Sequence, residues 1–104
     1  MGEGESAPAV KAQLYVLILR RIAPGRVGPF LKAHEQRLAE LHRRGVVLYS
    51  GPFEEGGGLT IFKAGSQEEA ARLMAEDPFV TNETHRPELH TWNPWLTPLT
   101  GDEG

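Results

Sequence analysis

The feature that most constrains the fold of this chain is an unbroken run of six apolar or aromatic residues at positions 14–19. A short continuous run of this kind is typical of a β-strand that is buried on both faces of a sheet. Such a strand needs packing partners above and below the sheet. The rest of the chain must therefore supply cover for two sheet faces, from its own helices or from another molecule.

A helix predicted over residues 30–44 is the first candidate for that cover. Its inward positions recur three and four residues apart, which is the spacing of one helical face. The residues on this face are Leu31, His34, Leu38 and Leu41. Arg43 and Arg44 suit the negative end of the helix dipole, and Gly45 is the expected cap.

A second helix is predicted to begin after Ser66. Serine at the N-cap, with Glu69 three residues later, forms a capping box. The inward positions of this helix are Ala70, Leu73, Met74 and Asp77. Pro78 cannot continue a helix and disfavours helical geometry at the residue before it, so we expect the helix to end there.

Three further strands complete the predicted order of elements. They cover residues 46–50, 59–62 and 89–95, and residues 54–58 form the turn of a hairpin. Together with the run at 14–19 the order is β-α-β-β-α-β, which is typical of an α+β, ferredoxin-like fold. We therefore expect a four-stranded antiparallel sheet with two helices on one face.

The other face of that sheet predicts a partner. Two helices can cover only one face, whereas the strand at 14–19 is apolar on both. An exposed apolar sheet face exceeds what a soluble monomer usually presents, and a second copy related by a two-fold axis is the most economical cover. The sequence therefore predicts a homodimer that forms through the open face of the sheet.

Composition argues against several classes of function. The 104 residues carry a net charge of -3 and no cysteine, which disfavours nucleic-acid binding, a disulfide scaffold and thiolate metal sites. No apolar run approaches the ~20 residues of a membrane helix. We expect one cytoplasmic domain over residues 10–97, with flexible tails at 1–9 and 98–104, that binds neither nucleic acid nor membrane.

Two residues with acid–base side chains occupy inward helix positions. His34 lies on the inward face of the first helix, and Asp77 lies at the end of the second. A buried imidazole and a buried carboxylate are costly unless they are paired or open to a cleft. A carboxylate on one imidazole nitrogen fixes the tautomer and increases the basicity of the other nitrogen. The two residues are thus either a general acid–base centre or a structural ion pair, with Asp77 capping the turn at Pro78.

The remaining histidines do not predict a metal site. His34 and His42 are two helical turns apart, about 12 Å along the axis, so one ion cannot bridge them. Position 38 carries leucine where a zincin helix needs its second histidine. His85 and His90 lie in the last segment and could approach a cleft, but isolated surface histidines are commoner than ligands, so they receive no role. We expect neither a metal nor a cofactor.

Three motifs follow one another along the chain: the helical His34, Gly-Pro-Phe at 51–53 and Asp-Pro-Phe at 77–79. In this order they resemble the YciI-like (YCII-related) family, and the similarity spans residues 14–95. The resemblance implies a ferredoxin-like fold that dimerises as an α/β barrel. It also implies a His–Asp centre, whose roles fall on His34 and Asp77.

The predicted function is that of a small cofactorless enzyme of the lyase or isomerase type. The resemblance extends to a dehydrochlorinase and to muconolactone isomerase, so it implies a small cyclic or carbonyl metabolite without selecting one. His34 would move a proton and Asp77 would orient the imidazole. The residues expected to contact the ligand are Ser50, Gly51, Pro52, Phe53, Phe79 and Trp92.

Two alternatives remain open at this point. The chain could be a non-catalytic homodimeric module that binds a small molecule or a partner protein, in which case His34 and Asp77 matter for stability alone. It could also be a structural subunit that makes contact through the charged helix faces around Glu35 and Glu40, although such faces are usually just solvated.

Overall fold

A computed structural model describes residues 13–96 and shows one antiparallel sheet with its helices on one face. In chain order the elements are β1 (Gln13–Arg21), a 3-10 turn (Pro24–Arg26), α1 (Gly28–Arg43), β2 (Val47–Pro52), β3 (Gly58–Ala64), α2 (Gln67–Ala75), α3 (Pro78–Thr81) and β4 (His85–Trp92). The strand order is β2-β3-β1-β4. The predicted α+β, ferredoxin-like fold is confirmed, while the tails predicted at 1–9 and 98–104 lie outside the described residues.

The two long helices end and begin where local chemistry predicts. Gly45 follows α1 with a φ of 80°, a left-handed conformation that glycine adopts without steric strain. At the start of α2 the Ser66 hydroxyl accepts a hydrogen bond from the Glu69 N–H at 3.1 Å. The Glu69 carboxylate reaches back to the Gly65 N–H at 2.8 Å. Within residues 13–96, none of the helices has the length and apolarity needed to cross a membrane.

Strand β1 is central and presents alternate residues to the two faces of the sheet. Its residues on the helix-covered face are buried and form the core with side chains from β2, β3 and the helices. This core consists of Tyr15, Leu17, Leu19, Leu41, Val47, Phe62, Ala64, Ala70 and Phe79. The hydrophobic core therefore lies entirely between the sheet and its helices.

The opposite side of the sheet, called the open face below, has no helix over it among the described residues. Directly paired residues of antiparallel strands lie on the same face. The pairing places on the open face Leu14, Val16, Ile18, Tyr49, Leu59, Ile61, Glu88, His90 and Trp92. This face combines an apolar centre with polar residues along β4.

The prediction for the last strand is wrong in its bounds. β4 spans His85–Trp92 rather than 89–95 and pairs with β1 along its whole length. Pro87 and the charged residues beside it obscure the start of the strand in the sequence, but β4 is an edge strand, where proline is tolerated. The short helix α3, which the sequence did not predict, occupies the interval between α2 and β4.

Candidate functional site

The side chains of His34 and Asp77 meet on the helix-covered side of the sheet, although 43 residues separate them in the sequence. His34 lies within α1, and Asp77 directly precedes α3. The Nδ1–H group of His34 donates to the Asp77 carboxylate, and both carboxylate oxygens lie 2.9 Å from Nδ1. The Asp77 side chain is 2% exposed and that of His34 is 13% exposed, so water has little access to this hydrogen bond.

Local sequence holds Asp77 in place. Asp77 is the N-cap of α3, where its Oδ1 accepts a hydrogen bond from the Phe79 N–H at 2.8 Å. Pro78 occupies the first turn of that helix, where the missing N–H of proline costs nothing. Arg37 of α1 donates to the Leu73 carbonyl and lies 3.9 Å from the Asp77 carboxylate. The same carboxylate therefore caps a helix and binds an imidazole, so the two interpretations of Asp77 do not exclude each other.

Phe79 lies between two imidazole rings. The His34 ring stacks on it with centroids 3.9 Å apart and planes at 13°, and the His85 ring stacks on it with centroids 4.3 Å apart and planes at 10°. Two nearly parallel rings at these distances must occupy opposite faces of the benzene ring. Phe79 thus joins the predicted acid–base residue to a histidine that received no predicted role.

His85 is almost completely buried, with 5% of its surface exposed. Desolvation by burial and, after it, the nearby His34 lower the pKa of His85, because both disfavour a positive charge on its ring. Asp77 acts in the opposite direction, and Arg21 acts in the same direction as burial. The correct bounds of β4 would have revealed this position, since alternation from Leu89 puts His85 on the helix-covered face.

A cleft of about 760 Å³ opens beside His34 on the helix-covered side. Four of the predicted ligand contacts line it, namely Ser50, Gly51, Pro52 and Phe79, together with both stacked histidines. A bulge between Val47 and Tyr49 turns Ser50 toward the helices, where its Oγ lies 2.7 Å from the Thr60 hydroxyl. Much of the remaining wall is apolar, including Leu19, Leu31 and Leu38. A cleft of this size and character suits a small organic ligand.

Phe53 and Trp92, two of the predicted ligand contacts, do not line this cleft in the single chain. Trp92 pairs with Leu14 on the open face and is 39% exposed. It lies there because strand alternation sends it to the side opposite His85 and Leu89. Phe53 follows β2 in the hairpin, where its N–H donates to the Gly57 carbonyl at 2.9 Å.

The remaining histidines make separate local contacts. The Nδ1–H of His42 donates to the Val47 carbonyl at 2.8 Å at the rim of the cleft. His90 lies on the open face, with Nε2 2.7 Å from the Glu88 carboxylate. Across residues 13–96, no three His, Asp or Glu side chains are grouped closely enough to hold a metal ion.

A comparison with models of known protein families finds a match that covers most of the described residues. The family model of the YCII-related domain matches residues 14–93. This stretch contains α1, α2, α3, the whole of β2, β3 and β4, and all of β1 but its first residue. No curated protein matches the chain significantly.

Two solved structures are similar to this one. The 5-chloro-2-hydroxyhydroquinone dehydrochlorinase of Burkholderia phenoliruptrix AC1100, in complex with 2,5-dihydroxybenzoquinone, has a TM-score of 0.58 and 21% identity. The match covers 76% of this chain and 93% of that one. A protein named as an antibiotic biosynthesis monooxygenase, from Bacteroides thetaiotaomicron VPI-5482, has a TM-score of 0.58 and 14% identity over 86% of this chain and 95% of that one. At these identities the likeness concerns the fold alone.

Proposed function

The chain belongs to the YCII-related domain family, and from this premise we propose that it is a small-molecule enzyme of the lyase or isomerase type. Its substrate is a compact cyclic or carbonyl compound that binds in the cleft, where His34 transfers a proton and Asp77 orients the imidazole. The observation that carries this proposal is the buried His34–Asp77 hydrogen bond at the wall of a cleft of ligand size.

The hydrogen bond supports Nε2 as the reacting nitrogen of His34. Because Nδ1–H donates to the Asp77 carboxylate, Nε2 of the neutral ring keeps its lone pair. A substrate C–H or O–H bond gives its proton to Nε2, and the bonding electron pair stays on the substrate as an enolate or forms a double bond as a leaving group departs. The carboxylate stabilises the positive charge that develops on the ring. In an isomerase the proton returns to another substrate atom, whereas in a lyase it leaves with the departing group.

The lining of the cleft supports a small unsaturated or carbonyl compound. Leu31, Leu38 and Ala39 of α1 contribute apolar surface to its walls. Phe79 also lines the cleft, with both faces of its ring covered by imidazoles. Polar contacts come from the backbone of Gly51 and from the Ser50 hydroxyl at the end of β2. The solved dehydrochlorinase acts on a chlorinated hydroxyhydroquinone, and this likeness of fold supports a ring compound as the first class to test.

We further propose that the chain acts as a homodimer in which a second copy covers the open face. The apolar centre of this face supports the proposal, because it includes Val16, Ile18 and Ile61 together with Tyr49, which is 66% exposed. Exposed apolar surface of this extent is typical of an interaction site. A two-fold axis would bring this self-complementary surface against its own copy.

The catalytic proposal is tested with two matched histidine variants. His34→Asn keeps an amide nitrogen near the position of Nδ1, facing Asp77, but has no atom at Nε2. His90→Asn removes an exposed imidazole of β4, among the polar residues beside the apolar centre of the open face, and serves as the control. The assay follows chloride release from 5-chloro-2-hydroxyhydroquinone, and hydrogen–deuterium exchange by NMR in D₂O for a panel of small cyclic ketones and hydroxyquinones.

We expect the wild-type protein to act on at least one compound of the panel. His34→Asn should then lower the rate by about 10²- to 10⁴-fold, the usual contribution of a general acid or base, while His90→Asn stays within about twofold. A rate that survives in His34→Asn would remove His34 from the mechanism. Binding of panel compounds without any turnover would favour the non-catalytic binding module instead.

A further inference from the structure

His85 is a second imidazole of the cleft that the proposed proton transfer does not use. It begins β4 and lies on the helix-covered face, opposite Arg21 of β1. Its ring lines the cleft and stacks on Phe79, on the face that His34 leaves free. The two imidazole centroids are at most 8.2 Å apart, because they lie 3.9 Å and 4.3 Å from that of Phe79. One small ligand can therefore contact both histidines.

Hydrogen bonds at Thr84 decide the tautomer of His85. The Thr84 hydroxyl lies 3.2 Å from the Phe79 carbonyl oxygen, which can only accept, so the hydroxyl proton points to that carbonyl. The Thr84 oxygen then accepts from the Nδ1–H of His85 at 2.9 Å. Thr84 has no exposed surface, so solvent does not compete for this arrangement. In the neutral ring Nε2 of His85 consequently carries no proton.

The lone pair on Nε2 of His85 meets no hydrogen-bond donor in the part of the chain that the structure describes. Among residues 13–96, Nε2 of His85 has no hydrogen-bond partner, although only 5% of the surface of this residue is exposed. An unpartnered buried acceptor is costly unless a ligand or water satisfies it. Burial and, after it, the neighbouring His34 lower the pKa of His85 and so favour the neutral ring, while Asp77 opposes this effect and Arg21 adds to it. The position is therefore that of a hydrogen-bond acceptor at the wall of the cleft.

We propose that Nε2 of His85 is a ligand-binding acceptor that takes a hydrogen bond from a hydroxyl group of the substrate. The proposal deepens the proposed function, on which it rests for the identity of the cleft. It restricts the substrate to ring or enol compounds that carry a free hydroxyl group in addition to the proton that His34 transfers. Methyl ethers of such compounds, which cannot donate, should bind less well.

Two substitutions separate the roles of the two ring nitrogens. In His85→Asn the amide nitrogen takes the position of Nδ1 and keeps the bond to Thr84, but nothing replaces Nε2. In His85→Gln the longer side chain places a polar group near the position of Nε2 and loses the Thr84 contact. A purely structural role of His85 would make His85→Gln the more harmful of the two, whereas the proposed role makes His85→Asn the more harmful for ligand binding.

The probes are hydroquinone and 1,4-dimethoxybenzene, which have the same ring and differ in their ability to donate a hydrogen bond. Long-range ¹H–¹⁵N NMR spectra of the uniformly labelled wild-type protein should show His85 as the Nδ1–H tautomer. Hydroquinone should shift the Nε2 resonance of His85, and 1,4-dimethoxybenzene should not. His85→Asn should weaken hydroquinone binding about fivefold to tenfold and leave binding of the ether within twofold, since one hydrogen bond is lost.

Three results would overturn the proposal: an Nε2–H tautomer of His85 in the free protein, equal shifts with both probes, or no shift of Nε2 with hydroquinone. The experiment needs no turnover, so its outcome is separate from that of the proposed function. Repeating the titration in His34→Asn makes the distinction explicit. If His34→Asn keeps both its turnover and the hydroquinone-induced shift of Nε2 of His85, only the catalytic role of His34 is contradicted. If His34→Asn loses turnover and Nε2 of His85 does not shift, only the acceptor role of His85 is contradicted.

Discussion

The two faces of the sheet each carry a contact between a histidine and a carboxylate, and the two contacts have similar lengths. On the helix-covered face Nδ1 of His34 lies 2.9 Å from Asp77, and on the open face Nε2 of His90 lies 2.7 Å from Glu88. Their surroundings differ sharply, because the first pair is buried beneath helices and the second is solvated. Distance alone therefore does not distinguish the two pairs, whereas exclusion of water from the His34–Asp77 pair does.

The His90–Glu88 pair on the open face belongs to a network of exposed charged side chains that also includes Arg20. Glu88 accepts hydrogen bonds from His90 and from Arg20, and these bonds, that of His90 first, lower the pKa of its carboxyl group. Solvent and salt screen such contacts, so they contribute little to stability or to chemistry. The helix-covered face instead places its polar atoms where each has a defined partner or faces the cleft.

The largest expected effect comes from removing the buried carboxylate. Asp77→Ala leaves His34 without its partner and Phe79 N–H without its cap, so we expect a loss of about 3–5 kcal/mol in the free energy of unfolding. Urea unfolding at pH 7 measures this loss. Asp77→Asn is the control that retains the capping oxygen, and it should lose clearly less. If Glu88→Ala proved as damaging as Asp77→Ala, burial would not distinguish the two faces.

The next largest effects compare Leu17 and Ile18, two adjacent residues of β1 that lie on opposite faces of the sheet. Leu17→Ala should lower the free energy of unfolding by about 2–5 kcal/mol, because it opens a cavity in the core. Ile18→Ala removes apolar surface from the open face instead, and we expect it to weaken the dimer at least about tenfold. Analytical ultracentrifugation measures the second effect, with Leu17→Ala as the variant that leaves association unchanged. A wild-type protein that sediments only as an 11.5 kDa species at micromolar concentration would contradict the dimer.

A smaller effect concerns the pH dependence of stability. The pKa of His85 is lowered in the folded protein, chiefly by burial, so the unfolded chain binds a proton more readily than the folded one. The contribution of His85 to the free energy of unfolding is therefore fully present above the ordinary histidine pKa of about 6.5, and it is lost progressively as the pH decreases below that value. One such group contributes a slope of at most about 1.4 kcal/mol per pH unit. Urea midpoints at pH 7.5 and 5.5 should differ less in His85→Asn, and an unchanged difference would contradict a neutral buried His85.

The smallest effect is expected at the solvated pair. The lowered pKa of Glu88 contributes stability that is present at neutral pH and is lost on acidification, but the group is exposed and screened. Glu88→Gln should not shift the unfolding midpoint measurably at high salt. A clear shift that persists at high salt would contradict the solvation of this pair, and it would extend the proposed dimer contact from the apolar centre of the open face to β4.

Local signals in the sequence predicted the ends of the helices well. A glycine after α1 and a serine–glutamate cap before α2 act within a few residues, so their outcome depends little on the rest of the fold. Periodicity likewise indicated that His34 faces inward, because a helix repeats its faces at a known interval. Asp77 is buried as expected, but the prediction that it ends the second helix is wrong, since α2 ends at Ala75 and Asp77 caps α3. The same reasoning was weaker for β4, where Pro87 and charged residues interrupt the alternation expected of a strand.

The consequences of that missed strand boundary were specific. Trp92 was predicted at the ligand and lies on the open face, whereas His85 received no role and lies in the cleft. A strand reverses the direction of its side chains at every residue, so its faces are known only when the partner residues on the neighbouring strand are known. The face on which Ser50 lies likewise depends on strand pairing, because the bulge between Val47 and Tyr49 reverses the alternation of β2 before Ser50.

Sequence patterns were enough to predict the order of the four strands and two long helices, the inward position of His34, and the excess of apolar surface on the central strand. The packing of the elements was needed to show that His34 and Asp77 form one buried hydrogen bond, that Phe79 separates His34 from His85, and that the Thr84 hydroxyl meets Nδ1 of His85. Periodicity and capping are set by neighbours in the chain, whereas burial, stacking and hydrogen bonding between distant residues depend on how α1, α3 and β4 pack together.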